Sequence, residues 1–134
     1  MKRWIPEIIF SLWVLSGAMI FLFPEVFYQV VPGPSIYGGY NEHLVRDLGL
    51  VYLSSGMMGL LARFGVNLAI YLCAGLWSIL HGLYHIFEWF LRGSPLDLIF
   101  VFDLLFVVLP PILVVAYLFN SARDSSGGAS EQGY

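Results

Sequence analysis

A chain of 134 residues with 59% hydrophobic and 11% charged side chains cannot cover itself with water-seeking groups, since an ordinary soluble domain is about 45–50% apolar and about 25% charged. Six Lys and Arg against nine Asp and Glu leave a formal charge of −3 with no basic run, which argues against nucleic acid as a partner. The single cysteine, Cys73 in an apolar stretch, excludes an internal disulfide and any CxxC redox or zinc motif.

Lys2 and Arg3 precede an apolar run that resembles a signal peptide, but no A-x-A-like cleavage site follows it. The run therefore reads as a retained first transmembrane helix over residues 6–28. Pro6 suits its first turn, and Pro24 predicts a kink or an end near the far interface. Residues 31–40 carry two prolines and three glycines, the composition of a loop. The second span, 41–63, opens on Asn41 as N-cap with Glu42 in the first turn. The third runs over 66–90 and the fourth over 96–119, where Pro110–Pro111 predicts a kink. Each has about the twenty residues needed to cross ~30 Å of hydrocarbon. The polar, low-complexity segment 121–134 is expected to be disordered.

The fold class that follows is all-α, a four-helix transmembrane bundle with both termini on the same side. Lys2, Arg3, Arg63 and Arg123 then share that side, and Arg46 and Arg92 lie on the other. This bias places the termini in the cytoplasm and the protein in the cell (inner) membrane. The half of the bundle away from the termini collects all three histidines and most of the acids: Glu25, Glu42, His43, Arg46, Asp47, His81, His85, Glu88, Arg92, Asp97 and Asp103. Reversing the orientation keeps the cluster on one side.

Polar groups in a membrane span are costly, so these positions carry information. His81, His85 and Glu88 stand at i, i+4 and i+7 on the third helix and line one stripe. Beside them, Ala74, Ser78 and Gly82 form a small-residue face of the kind that lets membrane helices approach closely. Ser55 and Gly59 on the second helix offer it a matching surface, and Gly49 and Gly56 lie seven apart on the same helix. The histidine pair with a nearby carboxylate has metal-ligand spacing, with His81, His85 and Glu88 as the ligand set. The other reading is a hydrogen-bonded network across helices. Glu42, His43, Arg46 and Asp47 read either as an interface cluster or as the mouth of a pocket, with Arg46 as an anchor for an anion or carbonyl. Asp103, flanked by Phe102 and Leu104 about two turns into the fourth span, needs a partner or a proton. Arg46, His81 and His85 are the candidates.

The segment Asn41-Glu-His-Leu-Val-Arg-Asp-Leu-Gly49, followed by a small-residue helix and a histidine-bearing third helix, resembles the small four-helix bacterial membrane proteins grouped as DoxX-like. Some members of that group are associated with quinone-linked redox chemistry. The resemblance implies that the Glu42–Asp47 segment and the third-helix histidines face a shared pocket. This chain has no redox cysteine pair and no flavin or nucleotide motif.

The expected function is therefore a binding protein, or a small subunit beside partner membrane proteins or further copies of itself. Its polar pocket is expected to consist of His43, Arg46, Asp47, His81, His85, Glu88 and Asp103, and to take a lipid- or quinone-like ligand. The alternative is a membrane oxidoreductase or isomerase with a His/carboxylate site, with or without a metal ion. In that version His81 or His85 is the base, tuned by Asp103 or Glu88.

Overall fold

The computed structural model describes residues 4–65 and 68–130, and among these the backbone is helical with no strand. In chain order the elements are α1 (Trp4–Leu22), α2 (Pro24–Val30), α3 (Pro34–Tyr37), α4 (Glu42–Gly65), α5 (Leu68–Leu91), α6 (Leu98–Asp103), a π-helical turn (Leu104–Val108) and α7 (Leu109–Ser130). Four stretches are long and apolar enough to cross a membrane: Trp4–Leu22, Glu42–Ala62, Ala69–Leu91 and Leu98–Asn120. Their outward faces fit that reading. Leu15, Leu61 and Leu80 are each more than half exposed, as side chains facing hydrocarbon are and as water would penalise.

Local chemistry sets the breaks between elements. The first span, expected as one helix over 6–28, is divided at Phe23, where Pro24 begins α2. A proline tolerates the first helical turn and not the interior. The loop that follows contains one helical turn, α3, started by Pro34 after Gly33 at φ 113°. Asn41 does cap α4, its side-chain oxygen accepting from the Leu44 amide at 3.2 Å. Asp97 caps α6 in the same way, accepting from the Phe100 amide at 2.8 Å. That bond, with the Arg92 guanidinium beside it, holds the Asp97 carboxyl below its ordinary value of 3.8.

The kink predicted at Pro110–Pro111 takes a specific form. Neither proline can donate to a carbonyl four residues back, and each ring crowds that carbonyl. The helix widens into the π turn just before them, where the Leu109 amide bonds back to the Leu104 carbonyl, five residues earlier. The final helix then continues to Ser130. It runs ten residues into the segment expected to be disordered, where a polar composition without proline leaves the helical ladder unbroken. Residues 131–134 lie outside the described residues.

The four rods form a ring in the order α1, α4, α5, α7, each beside two neighbours. The tightest pair is α1 with α4, and glycine makes it so. A Cβ on Gly49 would lie 2.7 Å from the Phe21 amide nitrogen and 2.9 Å from the Gly17 carbonyl oxygen. One on Gly56 would lie 2.7 Å from the Phe10 carbonyl oxygen, and Gly59 lies under the Phe10 ring. The small face of the second span is thus spent on the first helix and not, as expected, on the third. The bulky side chains of α1, Phe10 above all, need that room. The small face of α5 meets the last helix instead, where a Cβ on Gly82 would rest 3.4 Å from the Val107 carbonyl oxygen.

The buried core gathers at one end of the ring. Phe10 is fully buried, with Trp13 edge-on at 5.2 Å and Tyr71 stacked at 6.0 Å. Ala74, Val114, Tyr117 and Leu118 complete it. Gly49→Val should therefore force α1 and α4 apart and lower stability by about 1–3 kcal/mol, the usual cost of overpacking. Gly75→Ala, where an added Cβ meets nothing within 4 Å, should leave thermal unfolding in detergent unchanged or raise it slightly. Equal behaviour of the two variants would refute the packing described.

Candidate functional site

Beyond the core, the centre of the ring opens into a cavity of about 500 Å³, within the range of about 300–1,000 Å³ that small-molecule sites occupy. One wall is hydrocarbon from α1, including Ile9, Leu12 and Ile20. The opposite wall carries His81, His85 and Glu88 from α5 and Asp103 from α6. The α2–α3 segment covers one end with Phe27, Val31 and Tyr37. A hydrogen bond from the Tyr28 hydroxyl to the Gly38 carbonyl, with Tyr28 packed on Tyr40 at 5.4 Å, ties that segment to the start of α4.

Asp103 is the centre of the polar wall. It is only 4% exposed, and two side chains of α5 converge on its Oδ2. The Trp89 indole donates to it at 3.1 Å, and His85 Nδ1 lies 2.9 Å away. The His85 contact is a close approach to the carboxylate rather than an aligned hydrogen bond. Asp103 ends α6, immediately before the π turn. The extra residue rotates everything after it by about 100° relative to an uninterrupted helix.

The imidazoles belong to a longer column. Tyr52 meets Trp77 edge-on at 4.9 Å, Trp77 stacks on His81 at 4.6 Å, and His81 meets His85 edge-on at 4.5 Å. Trp77, His81, His85 and Trp89 succeed one another at four-residue steps along α5. Those steps are legible in the sequence, yet the tryptophans are absent from the expected site, which counted only ionisable groups. Tyr52 and Tyr37, from other elements, leave no sequence signal at all.

Four of the seven expected pocket residues, His81, His85, Glu88 and Asp103, line the cavity. His43, Arg46 and Asp47 do not. His43 is largely exposed and pairs with Asp47 one turn later at 3.4 Å. Arg46 pairs with Glu42 at 2.8 Å, donates to the Phe21 carbonyl and lies over the Phe21 ring at 5.3 Å. It therefore fastens α4 to the last turn of α1, where free carbonyls attract a cation. Nor do His81, His85 and Glu88 assemble as metal ligands, for among the described residues no three His, Cys, Asp or Glu side chains are placed to hold an ion. Other partners claim them: Trp77 covers His81, Asp103 faces His85, and Glu88 interacts with Tyr84.

The Tyr37 hydroxyl is raised above its ordinary value of 10.0, first by burial and then by the charge of Glu88, with Arg92 opposing and Asp103 adding. Arg92 itself is bound to Asp97. No family model, curated protein or solved structure matches the chain, so the chemistry must be read from this geometry.

Asp103→Ala removes the acceptor of the Trp89 indole and the carboxylate beside His85 Nδ1, and should cost about 1–3 kcal/mol in an unfolding titration. Arg46→Ala should also destabilise the protein, while leaving the fluorescence of Trp77 and Trp89 in the cavity wall unaltered. A spectral change in the Arg46 variant matching that of the Asp103 variant would show that the two belong to one network.

Proposed function

We propose that the protein is a membrane binding protein whose cavity takes a single-chain, lipid- or quinone-like amphiphile, the polar head against α5 and α6 and the tail along α1. The observation that carries this reading is the division of the cavity into a hydrocarbon wall and a wall bearing His81, His85, Glu88 and Asp103. An apolar pocket with a few convergent polar groups is the usual form of such a site. From Ile9 to Ile20 the apolar wall extends about 16 Å at 1.5 Å per residue, room for an acyl or isoprenoid chain.

The charge bias of Lys2, Arg3, Arg63 and Arg123 against Arg46 and Arg92 supports cytoplasmic termini, an orientation in which the polar wall of the cavity faces the outer half of the membrane. The Asn41–Gly49 segment supports kinship with the DoxX-like group, though Glu42, His43 and Asp47 serve the α4 end and its surface rather than the cavity.

Native mass spectrometry of the protein extracted from its own membrane in mild detergent should find one amphiphile per chain. Ser16→Trp and Leu48→Trp, which project bulk from the cavity lining, should strip it while preserving the helical circular dichroism. Protein that carries no ligand, or ligand retained undiminished by both filled variants, would end the proposal.

A further inference from the structure

The charge balance of the cavity is one-sided. Its lining carries two carboxylates, Glu88 and Asp103, and among the described residues no Lys or Arg. The basic side chains closest in sequence to the site are engaged elsewhere: Arg92 with Asp97, and Arg46 with Glu42 and the Phe21 carbonyl. His85 offsets Asp103 only when it is protonated, and Glu88 then still has no cation facing it from the lining. The other ionisable groups facing the space are His81 and Tyr84 on α5, Tyr52 on α4 and Tyr37 on α3. From α1 and α7 the lining receives only apolar side chains and the Ser16 hydroxyl.

A ligand with an anionic head would meet like charge in a medium of low dielectric, where repulsion is strong. A neutral head would leave the carboxylates with the neutral donors they already have, Trp89 for Asp103 and Tyr84 for Glu88, and their negative charge unbalanced within the lining. A cationic head satisfies both, and the rest of the lining is suited to it. Aromatic faces from Trp13, Tyr37, Tyr52, Tyr84, Phe102 and Phe106 surround the space, and such faces attract organic cations most strongly when water is excluded. We propose that the cavity binds a single-chain lipophilic cation, with an alkylammonium head beside Glu88 and Asp103 and its tail along α1. This rests on the reading of the cavity as an amphiphile site and narrows the chemistry of the head group.

Three probes with one tail test it: dodecyltrimethylammonium, dodecanol and laurate, titrated against the full chain in nanodiscs of uncharged lipid, with protein-free discs subtracted. Quenching or shift of the intrinsic tryptophan emission reports occupancy. The expected result is ammonium bound at least about tenfold more tightly than dodecanol, with laurate weakest. Glu88→Gln and Asp103→Asn should each reduce that preference while dodecanol still binds. Retained dodecanol binding shows that the variant is folded and its cavity intact. Equal binding of the ammonium and the alcohol would leave the amphiphile site standing and overturn the cationic assignment. So would a preference that survives in both variants, since it would then arise at the bilayer surface. Binding of none of the three would overturn the amphiphile site and this inference with it.

Discussion

The bundle depends on backbone contact between α1 and α4. In hydrocarbon, burying one apolar side chain against another gains little, because lipid tails are equally apolar. Helices hold together there when their surfaces fit closely enough for dispersion forces to accumulate. Gly17, Gly49, Gly56 and Gly59 supply that closeness, leaving no space for a Cβ between the two rods. With α1 and α4 fixed, the Phe10 ring is fixed over Gly59, and Trp13, Tyr71 and Ala74 assemble around it. Gly82 performs a looser version of the same task between α5 and the last helix.

The cavity is the counterpart of that tight contact. Four rods in a ring leave their diagonals apart, and large side chains fill the gap only at the Phe10 end. Toward the other end the chain departs from regular helix at Pro24, at the π turn before Pro110 and at the loop bound through Arg92 and Asp97. Each does so for a reason of covalent chemistry or capping, and residues beside them, Phe27 after Pro24 and Asp103 before the π turn, line the cavity. The carboxylate of Asp103 is tolerated beside this space because Trp89 and His85 face it from the neighbouring helix.

The polar residues divide by the work they do. Arg46 and Arg92 each complete a helix end or a loop, and each pairs with a carboxylate there. His43 and Asp47 form a surface pair of the kind that contributes little. The stripe on α5 differs because its members contact one another and a buried acid while still bordering the cavity. Sequence spacing exposes that stripe through His81 and His85, and the flanking Trp77 and Trp89 repeat the same four-residue step. Nothing in the spacing distinguishes metal ligands from hydrogen-bond partners, because both need the same face of the same helix. The positions of Trp77 over His81 and of Asp103 before His85 separate the two cases.

Composition and periodicity by themselves determined the class of the protein, the four spans and most of their ends. Each of these is a local property: a run of apolar residues, an Asn41 cap, a proline that cannot donate. The gathering of His81, His85, Glu88 and Asp103 at one depth was also legible, since helical rise converts position in the chain into depth. Which neighbour each face meets was decided only by the tertiary structure. Ser55 and Gly59 were open to pairing with the third helix on sequence grounds, and the Phe10 ring claims the Gly59 face for the first. Arg46 read as part of an interface cluster or as the mouth of a pocket, and its bond to the Phe21 carbonyl keeps it at the end of α1 instead of in the cavity. A helix advertises its faces in its sequence, but the choice among partners depends on the shapes of all four surfaces at once, and no single segment encodes that.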